Sequence, residues 1–343
     1  SNINYSRRRQ IFEELHLMKC KRYILAALLF LFAVLQATAY ETNSRIRFEK
    51  YSISDGLSHL GVSSFYQDSK GFLWIGTFDG LNRFDGINFK VFKHVPGDPK
   101  SLSNNRVRCV LEHSTGKLLI GTEDGICVYD REMEVFEELK FGAFESPVTV
   151  MKMFEDSQNR LWILTNRNSV FVLDITTGNQ KSLFFSSTNQ SDEVVFHDIA
   201  EDAAGYIWLA STNGLICYHK DFRSFTLENP PYLNARRIRA MEIDDHNNLW
   251  LAFASTVKQV SIEYSEDSVV IQPTRTLKIK SIGTSILSDS RGNIWVSSTN
   301  EGVFRLREAN DFQEPENCQY HPLIPHTISS NWIVEIYEDH DGN

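Results

Sequence analysis

The sequence predicts an all-β protein of the β-propeller class, seven-bladed in type, with six complete blades and a truncated seventh. Three observations carry that prediction. A unit recurs along the chain at spacings of 45, 43, 46, 42 and 45 residues. One period holds four short strands in alternating apolar and polar register, the content of a propeller blade. The helical spacing that a solenoid of helix pairs would need is absent.

The unit is clearest at 68–85, with Trp74 as its anchor. The same place is filled by Leu119, Trp162, Trp208, Trp250 and Trp295. Three residues before each anchor stands Gly71, Gly116, Asn159, Gly205, Asn247 or Gly292, and six before it Asp68, His113, Asp156, Asp202, Asp244 or Asp289. Asp-x-x-Gly ahead of a β-rich run is turn chemistry: the carboxylate bonds backbone N–H groups ahead of it, and Gly or Asn tolerates positive φ. Leu-Trp-Ile-Gly-Thr then reads as a buried strand, 78–80 as a second turn, and 81–85 and 88–92 as further strands, with 61–66 in front.

Residues 1–39 stand apart from the repeat. Lys19, Lys21 and Arg22 precede an apolar run from Ile24 to Leu35, and Ala37-Thr-Ala39 follows. This reads as a secretory signal peptide cut after Ala39, with Met18 as the natural start and 1–17 upstream of it. An uncleaved membrane anchor is the alternative, but the run falls short of the roughly 20 residues that span a bilayer. The repeat region then divides into blades at about 52–93, 101–140, 146–184, 191–227, 233–274 and 278–309, with a partial blade at 326–343. The segment 45–51 resembles a fourth strand without a blade of its own, and is expected to close the ring by completing the last blade. Blade three carries an insertion at 166–169, and blade five lacks both the Gly-Thr and the turn glycine. The run from His326 repeats the register of the run from Ser101, and Asp339 and Gly342 match the turn, so the next anchor falls near position 345.

The whole chain has a net charge of −9; without the leader it has 29 basic and 42 acidic residues, a net charge of −13. That balance argues against nucleic acid or an anionic membrane surface as the main partner. Four cysteines remain, Cys109, Cys127, Cys217 and Cys318. Cys109 and Cys127 lie two strands apart, about 10 Å at ~4.8 Å per strand, too far to bridge. Buried free thiols are the expectation. No Cys/His cluster suggests a metal, and no cofactor is implied.

Ser-Leu-Ser-Asn-Asn-x-Val (101–107), Asp-x-x-Gly-x-Leu-Trp-Ile-Gly-Thr (68–77) and Asp-Gly-Leu-Asn-Arg-Phe-Asp (79–85) together resemble the two-component regulator propeller repeat. The opening Phe48-x-x-Tyr51-x-x-x-Asp55-Gly-Leu-Ser58 is similar to the start of such sensors. The resemblance covers about 44–343; Leu119, His113 and the weak fifth blade depart from it. It implies the periplasmic sensor region of a hybrid two-component histidine kinase, with a second propeller, a membrane helix and kinase modules following. It also implies detection of an oligosaccharide, a homodimer in the full-length protein, and no catalysis by this portion. A propeller-fold glycan-active enzyme and a protein-interaction scaffold are the other readings; a glycosidase would need a carboxylate pair at defined separation, and no pair stands apart from the repeating turns.

The recurring Asp, Gly and Trp residues (Asp68, Gly71, Trp74 and their counterparts) read as structure, since what recurs in every blade serves the blade. Calcium at the turns would need more carboxylates. Function belongs where blades differ. The second-to-third strand turns share a rim with the residues thirteen before each anchor: Gly61, Arg106, Thr149, Val195, Arg237, Ile282 and Trp332. Arg106, Arg237 and Trp332 stand out there, with Arg167 and Arg236 close by. Trp332 suits stacking on a sugar face, and the arginines suit hydroxyls, carboxylates or sulfates. An ordinary solvated rim is the plain alternative.

Overall fold

A computed structural model describes residues 46–343, apart from 143–147, 168, 185–193, 220, 223–225, 229–236, 266–267, 309–311 and 314. The leader read at 1–39 lies outside the described residues. Among the described residues, no helix is long and apolar enough to cross a membrane. Residues 50–343 cluster as one unit, and 46–51 belong to no sheet. The closing strand expected at 45–51 is therefore not formed. Tyr51 instead sets its ring edge-on to Phe84 and Phe89, centroids 5.1 and 5.8 Å away.

Six sheets follow one another along the chain in a six-bladed propeller arrangement. Their first strands, Val62–Gln67, Val107–Glu112, Val150–Glu155, Phe196–Glu201, Ala240–Ile243 and Gly283–Ser288, lie against one another in succession and form the inner wall. Blades one to three have the four antiparallel strands expected. Blade four has three: the segment Thr226–Glu228, expected to finish it, runs parallel to Ser268–Lys278 of blade five. The cause is the long hairpin of blade five, Thr256–Tyr264 with Ser268–Lys278, whose free edge offers the segment a ladder. Blade six gains its outer strand only at Glu316–Cys318, beyond the boundary at 309.

The repeating unit works as one device. In five blades the Asp carboxylate accepts the indole N–H of the tryptophan six residues on: Asp68–Trp74 2.8 Å, Asp156–Trp162 2.7 Å, Asp202–Trp208 2.7 Å, Asp244–Trp250 2.9 Å and Asp289–Trp295 2.8 Å. Its other oxygen accepts two backbone N–H groups of the turn, from Lys70 and Phe72 in blade one. Burial opposes ionisation of Asp68, but the donors from Trp74 and Arg131 outweigh it and hold the carboxyl below its ordinary range. The position three before the anchor has positive φ in every blade, 86° at Gly71 and 58° at Asn159 for example. Four of the tryptophans are fully buried and fill the space between sheets. Trp74 stacks on Phe92 and meets Tyr129 of blade two edge-on.

Blade two shows why its two departures occur together. Leu119 has no N–H to donate, so the turn needs no buried carboxylate. His113 takes over the turn: its Nδ1 accepts the Thr115 N–H at 3.2 Å, and its Nε2 lies 3.1 Å from the Asn159 carbonyl. Glycine two after the anchor lets neighbouring blades close up. A Cβ on Gly121 would sit 2.5 Å from Cys109 Sγ and 2.8 Å from Val150 Cγ1 of blade three. Cys109, Cys127 and Cys217 are buried free thiols, as expected, and Cys318 is half-buried; burial pushes the Cys109 thiol up to about 12.

A contact not foreseen links the turns. Ser69 presents its N–H and hydroxyl to Glu112 of blade two, at 2.6 and 2.8 Å. Ser114–Glu155, Ser157–Glu201 and Ser290–Glu338 repeat it. The last of these brings in the segment 326–343. Ile333 N bonds Ser298 O, Thr284 Oγ1 bonds Ile333 O, and Gly302 N bonds Asn331 O. On its other side the segment meets blade one: Gln67 N donates to Tyr337 Oη at 2.9 Å, and His340 N donates to Gln67 Oε1 at 2.6 Å.

The pairing of Trp with Asp predicts energetic coupling between positions 113 and 119. In a double-mutant cycle, His113→Asp and Leu119→Trp should each destabilise alone. Together they should recover at least about 1 kcal/mol of coupling, because the new indole N–H meets its acceptor. Denaturant unfolding of the four variants measures it; strict additivity would contradict the assignment.

Candidate functional site

The rim inferred from the sequence has a consistent geometry. The residue thirteen before the anchor accepts a backbone bond from the second turn of its own blade. The bonds are Phe78 N to Gly61 O at 3.0 Å, Glu123 N to Arg106 O at 3.1 Å, Asn166 N to Thr149 O at 3.2 Å, Thr212 N to Val195 O at 2.9 Å and Thr299 N to Ile282 O at 3.0 Å. Inner strand starts and second turns therefore meet at one end of blades one to four and six, while in blade five Arg239 N bonds Ala252 O instead.

The candidate residues fare differently at this rim. Arg106 pairs with Glu123 at 3.2 Å and lies over the Phe78 ring, 5.0 Å from its centroid. Its charge is engaged within the protein. Arg167 sits exposed just past the second strand of blade three, its N–H 3.3 Å from Thr165 Oγ1. Arg236 lies outside the described residues. Arg237 is exposed at the entry to blade five. Trp332 is 67% exposed, an open ring face on the segment that follows blade six. Arg106 and Arg237 occupy the same register in blades two and five, so the fold spaces them around the ring rather than bringing them together.

Sequence reasoning missed the next position inward. In blades one to four a β-bulge skips one residue of the inner strand, at Ser63, Arg108, Met151 and His197, and turns it out of the ladder. Arg108 also reaches Glu123. His197 has no such partner: its Nε2 is buried without a hydrogen bond among the described residues. Burial, and then Arg239 and Arg237, push its imidazole down to about 4, so it is neutral at physiological pH. The register eleven before the anchor, which holds Arg108, His197 and Arg239, was the available signal.

Deeper in the channel lies a charged cluster from four inner strands and the terminal segment. Lys152 pairs with Asp198. Asp198 also accepts the N–H groups of Ile199 and Met241, both at 2.9 Å, and Ser285 Oγ donates to Glu335 at 3.0 Å. Burial would depress the Lys152 ammonium, but Asp198 and Glu335 more than offset it and leave its pKa raised. Glu242 is pushed up to about 8, by burial first and by Asp198 second, against the pull of Lys152. Glu335 is likewise raised by burial. Three carboxyls share one ammonium, so protons are held here that an unfolded chain would release. No group of three or more His, Cys, Asp or Glu among the described residues is arranged to hold a metal ion.

The comparisons with known proteins agree with this architecture. The family described as the two component regulator propeller matches residues 56–79, so the chain carries that family's repeat. Over 73 residues the chain is 42% identical to Histidine kinase P4 of Formosa agariphila, a match covering 21% of this chain and 5% of that protein. Among solved structures, the extracellular domain of the hybrid two component system BT3049 from B. thetaiotaomicron superposes with a TM-score of 0.68 at 20% identity. It covers 87% of this chain and 40% of that one. A streptogramin B lyase superposes at 0.62 with 13% identity, covering 84% of this chain and 90% of that one. The chain thus spans a small part of the kinase and less than half of the two-component structure.

Because Glu242 binds its proton up to about pH 8 in the fold but only to about 4.3 in an unfolded chain, stability falls as pH rises between those values. Glu242→Gln should flatten that slope and raise the melting temperature above pH 7. A slope unchanged in the variant would assign it to other groups.

Proposed function

We propose that this chain is the extracytoplasmic ligand-sensing propeller of a hybrid two-component signalling protein. In this reading it detects an oligosaccharide outside the inner membrane and controls a polysaccharide-utilisation response. The observation that carries it is the two-component regulator propeller repeat at 56–79. The stretch of 42% identity to a histidine kinase supports the signalling context. The chain itself is read as non-enzymatic: the carboxylates of its repeating turns and blade junctions are bonded within the fold. Downstream parts of the same protein, a second propeller and a dimer partner among them, would convert ligand binding into a change of kinase state. A signal peptide at 1–39 would deliver the chain to the periplasm.

The ring is read as seven-bladed. The segment 326–343 makes with blade six the contacts that each inner strand makes with the blade before it. Its His340–Gln67 bond reproduces, toward blade one, the Ser–Glu junction seen elsewhere. In this reading the circle has a seventh place, and this segment would supply its first strand.

Two measurements test these readings. Thermal melting against a panel of plant and host oligosaccharides should give a concentration-dependent rise for one glycan class, since a ligand that binds only the native state stabilises it. No rise across the panel from a well-folded protein would favour a scaffold. For the ring, the double substitution Gln67→Glu with His340→Ser installs the junction found between other blades. It should stabilise by about 1 kcal/mol; a neutral result would mean that the two ends are not held together in solution.

A further inference from the structure

Two blades carry an arginine pair in the same register, and their second turns differ at the residue four after the anchor. In blade two, Arg106 and Arg108 flank the buried Val107, and Glu123 in the second turn pairs with both. In blade five, Arg237 and Arg239 flank the buried Ile238 in the same register. There the place of Glu123, four after the anchor, is taken by Ala254, an exposed residue with no charge to offer. Among the described residues neither Arg237 nor Arg239 makes an ion pair.

Blade four completes the setting. Ile238 N donates to Ser211 O at 3.0 Å, and Ser211 is the ladder partner of Phe196. Ile238 and Phe196 are buried in the core, while beside them Arg237 is exposed and Arg239 and His197 are half-buried. The two guanidinium groups lie close enough to disfavour protonation of His197, and Arg237 disfavours the charge on Arg239. Asp198, the carboxylate that follows His197 in the chain, is already committed to Lys152 and to the N–H groups of Ile199 and Met241. Two uncompensated cations and a buried, unpartnered imidazole nitrogen thus meet at one point of a chain whose net charge is −9. Like charges are held together at a cost unless something negative joins them, and guanidinium forks match planar or tetrahedral oxyanions.

We propose that the channel mouth between blades four and five, lined by His197, Arg237 and Arg239, binds the carboxylate or sulfate group of an acidic oligosaccharide. This rests on the sensing role proposed above and narrows it to charged glycans. Arg106, which pairs with Glu123, is not part of the site.

The test is thermal melting of the protein at constant ionic strength with sodium sulfate, sodium galacturonate or galactose, alongside the oligosaccharide panel. Sulfate or galacturonate should raise the melting temperature with concentration, and the one that acts names the anion. Ala254→Glu, which recreates the blade-two arrangement, and Arg239→Gln should each weaken that binding at least about tenfold. The His197 ring, followed by NMR, should titrate at higher pH when the anion is present. No rise with either anion, or a rise undiminished in Ala254→Glu, overturns the proposal. A rise with neutral glycans alone overturns the anion site and leaves oligosaccharide sensing standing. A rise with the anions but with no oligosaccharide keeps the site and removes the sensing reading.

Discussion

A buried carboxylate that accepts the indole N–H of a tryptophan six residues ahead is the interaction on which the rest of this structure depends. A single four-stranded sheet cannot bury both its faces, so each blade is stable only against its neighbours. The tryptophan fills the space between them, and its one polar atom must be bonded there. The aspartate does this while its other oxygen sets the turn that starts the strand, as at Lys70 and Phe72. The same carboxylates reach across the ring: Arg131 of blade two donates to Asp68 at 2.6 Å, and Tyr264 of blade five to Asp202. One side chain thereby couples a turn, a strand and the next blade. Where the indole is lost, at Leu119, the aspartate is lost with it, and His113 keeps the turn and the link to the next blade.

The second constraint is closure. Glycines such as Gly121 leave no room for a side chain where inner strands approach, and serine-to-glutamate bonds tie one turn to the next. Near the axis the crowding brings Lys152, Asp198, Glu242 and Glu335 together. Their net excess of carboxyls is tolerated because protonation removes charge that burial would penalise. The terminal segment takes part in both the turn-to-turn bonds and this cluster, through Glu338 and Glu335.

The chemistry available for recognition lies where blades depart from their common pattern. Much of it was legible: the register thirteen before the anchor singled out Arg106, Arg237 and Trp332 without any coordinates. The sequence alone could not tell that Glu123 pairs with Arg106, or that Ala254 offers Arg237 no such partner, because those relations need the second turn folded back onto the inner strand. Nor could it bring the charge of Arg239 to bear on His197, since the two residues belong to different blades. The solvated look of the rim in one dimension conceals one arginine pair that shares a carboxylate and one that has none.

Period, anchors and turn residues determined by themselves that the chain folds as blades, which face of each strand is buried, and where positive φ is required. These are local matters, set by side-chain alternation and by the conformational range of Gly and Asn. Only the tertiary structure decided that Thr226–Glu228 joins the following blade, that the outer strand of blade six waits until Glu316, and that 326–343 reaches from blade six to Gln67. Each of these is a choice between edges that offer the same backbone hydrogen bonds. Such a choice is settled by which edge lies within reach, and sequence spacing does not encode that.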